Sequence, residues 1–363
     1  MEASIPPFEK EICYILSTTS VFNQPNLAVA MRLRNISLLF IVNSCNAANW
    51  CLDSSCSSKP GLAEGIKGGI GEATDLANNA IAVMTAHADD QWVRKMAKYI
   101  LGTDDFDGKF SRARGTFAAV MGYQKVPLPF QPQDPAWTSS ERNVDLEVYC
   151  DDARIFKRTP DSVLSMDAAL PNKVMGPSGR DLLTRCYEPN FIPGSGVEAS
   201  KAITRTSNTF DLGGYRAEKK INPNVQRQNY EAPQPNVACV MDICTWFSAA
   251  AAVSGWPIVN AERVEACKTD EFKAKLSNGL TPVDGLKTFG TTMLHELTHT
   301  IQGGTLVDID VLPPGIDSCY NWICIGGLKN ERNADSIAML GLAMKLWSLK
   351  HYADDDGSIY PIP

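Results

Sequence analysis

The chain is poor in histidine and has no long apolar run. Only four His occur in 363 residues, so a metal centre built on imidazole has few places to sit. No stretch approaches the roughly 18 consecutive apolar residues of a membrane-spanning helix, and no span is expected. A basic excess is also missing. The 34 Lys and Arg stand against 41 Asp and Glu, a formal net charge of −7, whereas nucleic-acid binding wants a basic face. Cys-x-x-Cys does not occur, which argues against a structural zinc finger. Internal repeats and low-complexity tracts are lacking as well. What remains is an ordinary globular composition, long enough for one large domain or two small ones.

Two of the four His lie in one stretch, Thr291-Thr292-Met293-Leu294-His295-Glu296-Leu297-Thr298-His299-Thr300-Ile301. Positions i and i+4 share a helix face, so His295 and His299 can grip one ion together. Glu296 can reach a water polarised by that ion and act as general base. Neutral imidazole suits Zn²⁺. Leu286, Phe289, Met293, Leu297 and Ile301 recur at spacings of three and four, the apolar stripe of a helix. Pro282, Asp284 and Gly285 read as start signals and Gly303-Gly304 as a stop. The plain alternative is a helix with two surface histidines. The scarcity of His elsewhere weighs against it.

Upstream, Met31-Arg32-Leu33-Arg34 leads into Ile36–Val42 and then Asn43-Ser44-Cys45-Asn46-Ala47-Ala48. A basic start, a short apolar stretch and small residues make a secretory signal. The expected organisation is residues 1–30 as a gene-model extension, 31–48 as the signal peptide with cleavage near Ala47 or Ala48, and 49–363 as one catalytic domain. Of eleven Cys, Cys13 and Cys45 precede that cut, leaving nine, a number that reads as disulfides in a secreted chain. Cys51/Cys56, Cys239/Cys244 and Cys319/Cys324 are each five apart and are candidate local pairs, with one thiol left over.

Helical periodicity covers Gly61 to about Gly102 and Phe110 to Met121. His87 falls in the first region and reads as a helix-surface residue. Asp145–Cys150 and Val237–Cys244 read as strands, and Thr245–Val253 as an apolar continuation. Residues 157–236 are punctuated by Pro and Gly. They read as surface loops, with room for an edge hairpin, that wall a cleft. The last helix is expected from Asn330 to about His351, followed by a solvated acidic tail, Asp354-Asp355-Asp356.

A catalytic zinc wants three protein ligands and an open position. The metzincin continuation is excluded by Gln302 and Thr305. A gluzincin reading takes Glu331 from Asn330-Glu331-Arg332-Asn333-Ala334-Asp335, at a longer separation than usual. Asp308 and Asp310 are the nearer carboxylates, and on a strand both point to one side. Asp335 reads as a brace for the metal helix or, less directly, as a ligand.

These motifs resemble the aspzincin metallopeptidases, the deuterolysin and peptidyl-Lys metalloendopeptidase group of fungi. The likeness rests on His295-Glu296-Leu297-Thr298-His299, Gly304-Thr305 with Asp308 and Asp310, Tyr320, and Asn333-Ala334-Asp335-Ser336. It spans roughly residues 60–350, with its specific part in the last third. The chain departs from the family pattern in the later Asp, in the displaced Tyr320 followed by Asn321, and in Ile337 where the family has Tyr. The resemblance implies an α+β, zincin-like fold with a helical N-terminal part, a small sheet, the metal helix and a closing helix. It implies an Asp ligand to one Zn²⁺ and a Tyr320 hydroxyl that stabilises the oxyanion. The expected function is a secreted, extracellular, monomeric zinc metalloendopeptidase acting on protein or peptide substrates, with no nucleic-acid partner. Two alternatives are a non-catalytic secreted binding or effector protein on the same scaffold, and a gluzincin-type hydrolase using Glu331.

Overall fold

The computed structural model of the protein describes residues 48–125, 145–151, 239–276, 279–309 and 319–363, with the backbone of further strands between 155 and 207. The extension and signal expected for residues 1–47 lie outside the described residues. Ala48, the last residue assigned to the signal, is already the first residue of a sheet strand, and its N–H donates to Gly122 O at 3.1 Å.

The architecture is α+β. The main sheet has strands β1 (Ala48–Leu52), β2 (Tyr123–Lys125), β3 (Leu146–Tyr149), β7 (Thr204–Ser207) and β8 (Cys239–Ile243), in the order β2-β1-β3-β8-β7. β2, β1, β3 and β8 run parallel, with Trp50 opposite Leu146 and Leu146 opposite Cys239. β7 closes the order antiparallel to β8, with Arg205 opposite Asp242. Every residue of β3 and β8 is buried, as expected where parallel strands are covered on both faces. β4 (Ile155–Thr159), β5 (Ser162–Ser165) and β6 (Val174–Met175) form a separate antiparallel sheet inside the region expected to be loops.

The helical part begins with α1 (Leu62–Ala86), whose buried Leu62, Ile66, Ile70, Ala73, Leu76, Ala80 and Met84 make the stripe that periodicity predicts. α2 (Gln91–Leu101) is capped by Asp90, which accepts from Trp92 N at 2.8 Å. α3 (Phe106–Met121) starts one turn earlier than periodicity indicates. α4 (Thr245–Val253), α5 (Ala261–Cys267) and α6 (Asp270–Lys273) lead to α7 (Phe289–His299), then α8 (Trp322–Leu328) and α9 (Ala334–Ser348). α1, α3, α7 and α9 pack together, and their side chains share one core with Trp50, Val148 and Met241 of the sheet. Every residue from Ala334 to Met344 of α9 is buried, so α9 is the central post of the bundle. No helix among the described residues is long and apolar enough to cross a membrane.

Several expectations change at the chain's far end. α9 stops at Ser348, and His351 starts β9 (His351–Ala353), which pairs with β10 (Ile359–Pro361). The acidic residues form the turn between them. Asp354 receives Lys95 Nζ at 2.8 Å and its carbonyl accepts from Trp322 Nε1 at 2.9 Å, so it is a structural anchor and not a solvated tail. His87, by contrast, is exposed at the end of α1 as expected of a helix-surface residue, with its ring centroid 4.3 Å from that of Trp347.

The cysteines pair over longer range than their spacing indicates. Cys56 bonds Cys150, and only the local Cys319–Cys324 bridge forms as expected. Cys51 and Cys239 keep their thiols, so the Cys51/Cys56 and Cys239/Cys244 pairings do not form; Cys244 is itself disulfide-bonded. Position explains this: Cys51 is fully buried inside β1, while Cys56 lies in the 3-10 turn after it, with its sulfur 3.5 Å from Val148 O of β3. The Cys56–Cys150 bridge closes a separation of 94 residues. Loop-entropy arguments give such a closure about 4–5 kcal/mol. Cys56→Ser is therefore expected to lower unfolding free energy by several kcal/mol in denaturant melts, whereas Cys51→Ser, which breaks no bridge, lacks this loop-closure penalty.

Candidate metal centre

α7 is started by Thr288. Its hydroxyl accepts from Thr291 N at 3.2 Å, while Thr291 Oγ1 accepts from Thr288 N at 2.6 Å. This is a capping box with Thr in the position where Glu or Gln is usual. It replaces the start read from Pro282, Asp284 and Gly285. Thr288 Oγ1 also donates to Glu72 of α1 at 2.9 Å. A Cβ at Gly290 would collide with that Glu72 side chain, so the two helices meet where only glycine fits. Burial raises the Glu72 carboxyl above its ordinary range, against hydrogen bonds from Val259 N and Thr288 that lower it.

The helix ends at His299, and the chain turns back at once. Gly304 N and Thr305 N both donate to Thr300 O, and Leu306 N donates to Thr298 O at 2.9 Å. A Cβ at Gly303 would overlap the Leu297 carbonyl, and Thr305 takes a positive φ of 53°. Gly303 and Gly304 thus follow the helix end, as expected of a stop, and build the return. Val307 then bridges to Asn333: Val307 N donates to Arg332 O at 3.1 Å and Ala334 N to Val307 O at 3.0 Å. Asn333 Oδ1 takes Ile309 N at 3.0 Å, while its Nδ2 reaches Cys319 O and Ser336 Oγ. Asn333 therefore pins both chain segments that flank the site. The residue held between Val307 and Ile309 is Asp308.

This turn brings three donor atoms together. His295 Nε2 and His299 Nε2 are 3.0 Å apart, and Asp308 Oδ1 is 3.3 Å from the first and 3.4 Å from the second. A tetrahedral ion bound at 2.0–2.2 Å sets its donors roughly 3.3–3.6 Å apart, close to this triangle. Asp308 Oδ1 is buried and lacks a well-formed hydrogen bond, which is costly unless something else satisfies it. His295, His299 and Asp308 can hold a metal ion. Asp310 lies outside the described residues. Glu331 is paired with Arg112 Nε at 2.9 Å and is not part of the cluster.

The ring orientations suit such a role. His299 Nδ1 is 2.9 Å from Leu306 O, and only an N–H can donate there, so in the neutral ring it is Nε2 that would offer its lone pair to an ion. His295 Nδ1 faces Asp335 Oδ1 at 3.5 Å, and Asp335 Oδ2 accepts Lys287 Nζ at 2.8 Å. Asp335 is thus a brace for His295. Glu296 is buried, with Oε1 3.9 Å from His295 Nε2 and outside the triangle. Tyr320 is exposed at the rim, and its hydroxyl donates to Asp308 Oδ2 at 3.3 Å. Sequence reasoning missed Lys287 and the Leu306 carbonyl, which carry no motif of their own.

Burial, the largest single influence, disfavours a charged His295, but the carboxylates of Asp308, Asp335 and Glu296 together outweigh it and push the imidazole up to about 9. Burial likewise opposes charge on Asp308, and the two imidazoles nonetheless hold its carboxyl well below the ordinary range. A metal must displace the His295 proton to bind. Apparent zinc affinity is therefore expected to rise about tenfold per pH unit as pH climbs toward about 9 and then to level off. Competition with a chromophoric chelator across that range measures it; an affinity flat with pH contradicts the coupling. Compared with family models, with curated proteins and with solved structures, the chain gives no match.

Proposed function

We propose that the protein is a secreted zinc-dependent endopeptidase of zincin-like construction. The observation that carries this reading is the triangle of His295 Nε2, His299 Nε2 and Asp308 Oδ1, with the Glu296 carboxylate beside it and outside it. Two nitrogens and one carboxylate oxygen at these separations are a donor set typical of catalytic zinc with one position left open. A zinc ion there would supply Lewis acidity, bringing a water's pKa to near neutrality and polarising a carbonyl. Glu296 accepts the proton of the attacking water and returns it to the leaving amine. His295 is kept in register by Asp335, and His299 by the Leu306 carbonyl. The Tyr320 hydroxyl, now resting on Asp308, serves as donor to the developing oxyanion after a side-chain rotation.

A peptide substrate is favoured by the sheet. Among the described residues β7 ends the strand order, antiparallel to its neighbour, and lies beside α7. An edge strand so placed would offer N–H and C=O groups to an extended chain. The Cys56–Cys150 and Cys319–Cys324 bridges support an oxidising, extracellular location. The engagement of Glu331 by Arg112 counts against its use as third ligand.

Digestion of unfolded casein by the zinc-loaded protein tests the proposal. Cleavage that stops with a chelator and resumes with zinc is expected, as is full retention of activity in Glu331→Ala. A zinc-loaded protein that cleaves no unfolded substrate would instead favour the non-catalytic binding reading.

A further inference from the structure

The segment entering α7 does more than start a helix. Asp284–Leu286 form a single 3-10 turn followed by Lys287. Asp284 Oδ1 accepts from Trp322 N at 2.9 Å, while Lys287 Nζ donates to the Tyr320 carbonyl. The turn therefore holds Tyr320-Asn321-Trp322 from both sides. The same Lys287 ammonium donates to Asp335 Oδ2 at 2.8 Å, and the other oxygen of Asp335 faces His295 Nδ1. Asp335 is buried and Lys287 is about a quarter exposed, so this pair is shielded from solvent more than a surface pair. The turn is itself braced from α5, where Arg263 Nη2 donates to Gly285 O at 2.8 Å and to Lys287 O at 3.1 Å. Asn321 caps α8 through Cys324 N, and the Cys319–Cys324 bridge closes the segment, so a pull on the Tyr320 carbonyl acts on a stiff unit.

The geometry points to Lys287 as the positioning residue that couples the metal-holding side chains to the Tyr320 segment. This deepens the peptidase reading and rests on it for the identity of the ion. With Lys287 in place, Asp335 keeps one oxygen occupied and presents the other to His295, while Tyr320 is kept near Asp308. Without it, Asp335 is freed to rotate and the Tyr320 carbonyl loses its donor. Groups that orient a metal ligand typically contribute 10–100-fold in metal affinity. The loss is expected in two readouts at once, at the ion and at a segment whose Tyr320 reaches it through Asp308 and through a ring contact with His295.

The test combines zinc affinity by chelator competition with amide hydrogen exchange of residues 319–328, with and without zinc. The full disulfide-bonded chain is compared with Lys287→Met, Lys287→Arg, Asp335→Asn and Lys287→Met/Asp335→Asn. In the unaltered protein zinc is expected to slow exchange of residues 319–328. Lys287→Met is expected to weaken zinc about tenfold or more and to abolish that slowing, and Lys287→Arg to restore most of both. Because Lys287 acts on the ion through Asp335, the double variant is expected to bind zinc no more weakly than Asp335→Asn alone. Native zinc affinity and native zinc-dependent protection in Lys287→Met overturn the inference. So does a double variant whose losses simply add. If Lys287→Met does not fold, a Lys287→Arg protein lacking the zinc-dependent protection overturns it equally, and one retaining it supports it. Failure of the peptidase reading looks different: zinc binds and protects residues 319–328 as described, yet no peptide is cut.

Discussion

Glu296→Gln is expected to keep zinc at one ion per chain and to lose turnover by at least about 10²–10⁴-fold, the range general acid–base catalysis supplies. Gln matches Glu in shape, so the buried side chain keeps its packing between α7 and its neighbours. The triangle of His295, His299 and Asp308 does not use Glu296, whose nearest oxygen is 3.9 Å from His295 Nε2. The amide cannot take the water's proton, and it cannot deliver one to the departing amine. Loss should therefore fall on kcat more than on KM. Zinc analysis and casein turnover on the same preparation read both halves. Zinc lost along with activity would make Glu296 a ligand or a brace. Full activity with zinc bound would end the general-base assignment.

The second large effect is at Asp308. Asp308→Ala removes one of three donors, and its cost in zinc affinity is expected to exceed the roughly 10–100-fold typical of groups that only orient a ligand. His299→Ala is expected to behave alike. Asp310→Ala, by contrast, should leave zinc bound, because three donors are already supplied. Equilibrium dialysis against a zinc buffer ranks the variants. Retention of zinc by Asp308→Ala with loss in Asp310→Ala would reverse the choice between the two carboxylates that spacing alone leaves open.

The helix that carries the histidine pair, α7, was legible because its period and its buried stripe agree. Its ends were less so. The start depends on Thr288 and Thr291 exchanging hydrogen bonds, a pairing without the usual acidic residue. Asp284, which looks like a start signal, spends its carboxylate on Thr281 and Trp322 instead. The third donor was narrowed to a few carboxylates but not chosen. Asp308 is brought to the two imidazoles by the tight return from Thr300 to Leu306 and by Asn333, which reaches 24 residues back to hold Ile309. No local pattern encodes such a contact. Asp335 as a brace was readable from its place beside Asn333, whereas Lys287 carries no motif and becomes visible only when α9 and the Tyr320 segment are packed around it. Two of the three local disulfides that five-residue spacing predicts fail to form for the same reason: Cys51 is buried within β1, and Cys56 in the turn after it bonds Cys150 just past β3, whereas Cys319–Cys324 forms as expected.

Zinc titrated calorimetrically into the chelator-stripped, unaltered protein at pH 8 tests the centre of this account most directly. One ion per chain is expected, with proton release as the metal displaces that of His295, whose imidazole the neighbouring carboxylates push up to about 9. The released proton is read from the dependence of the heat on buffer ionisation. No binding, or binding that persists unchanged when His299 is replaced by Ala, would contradict it.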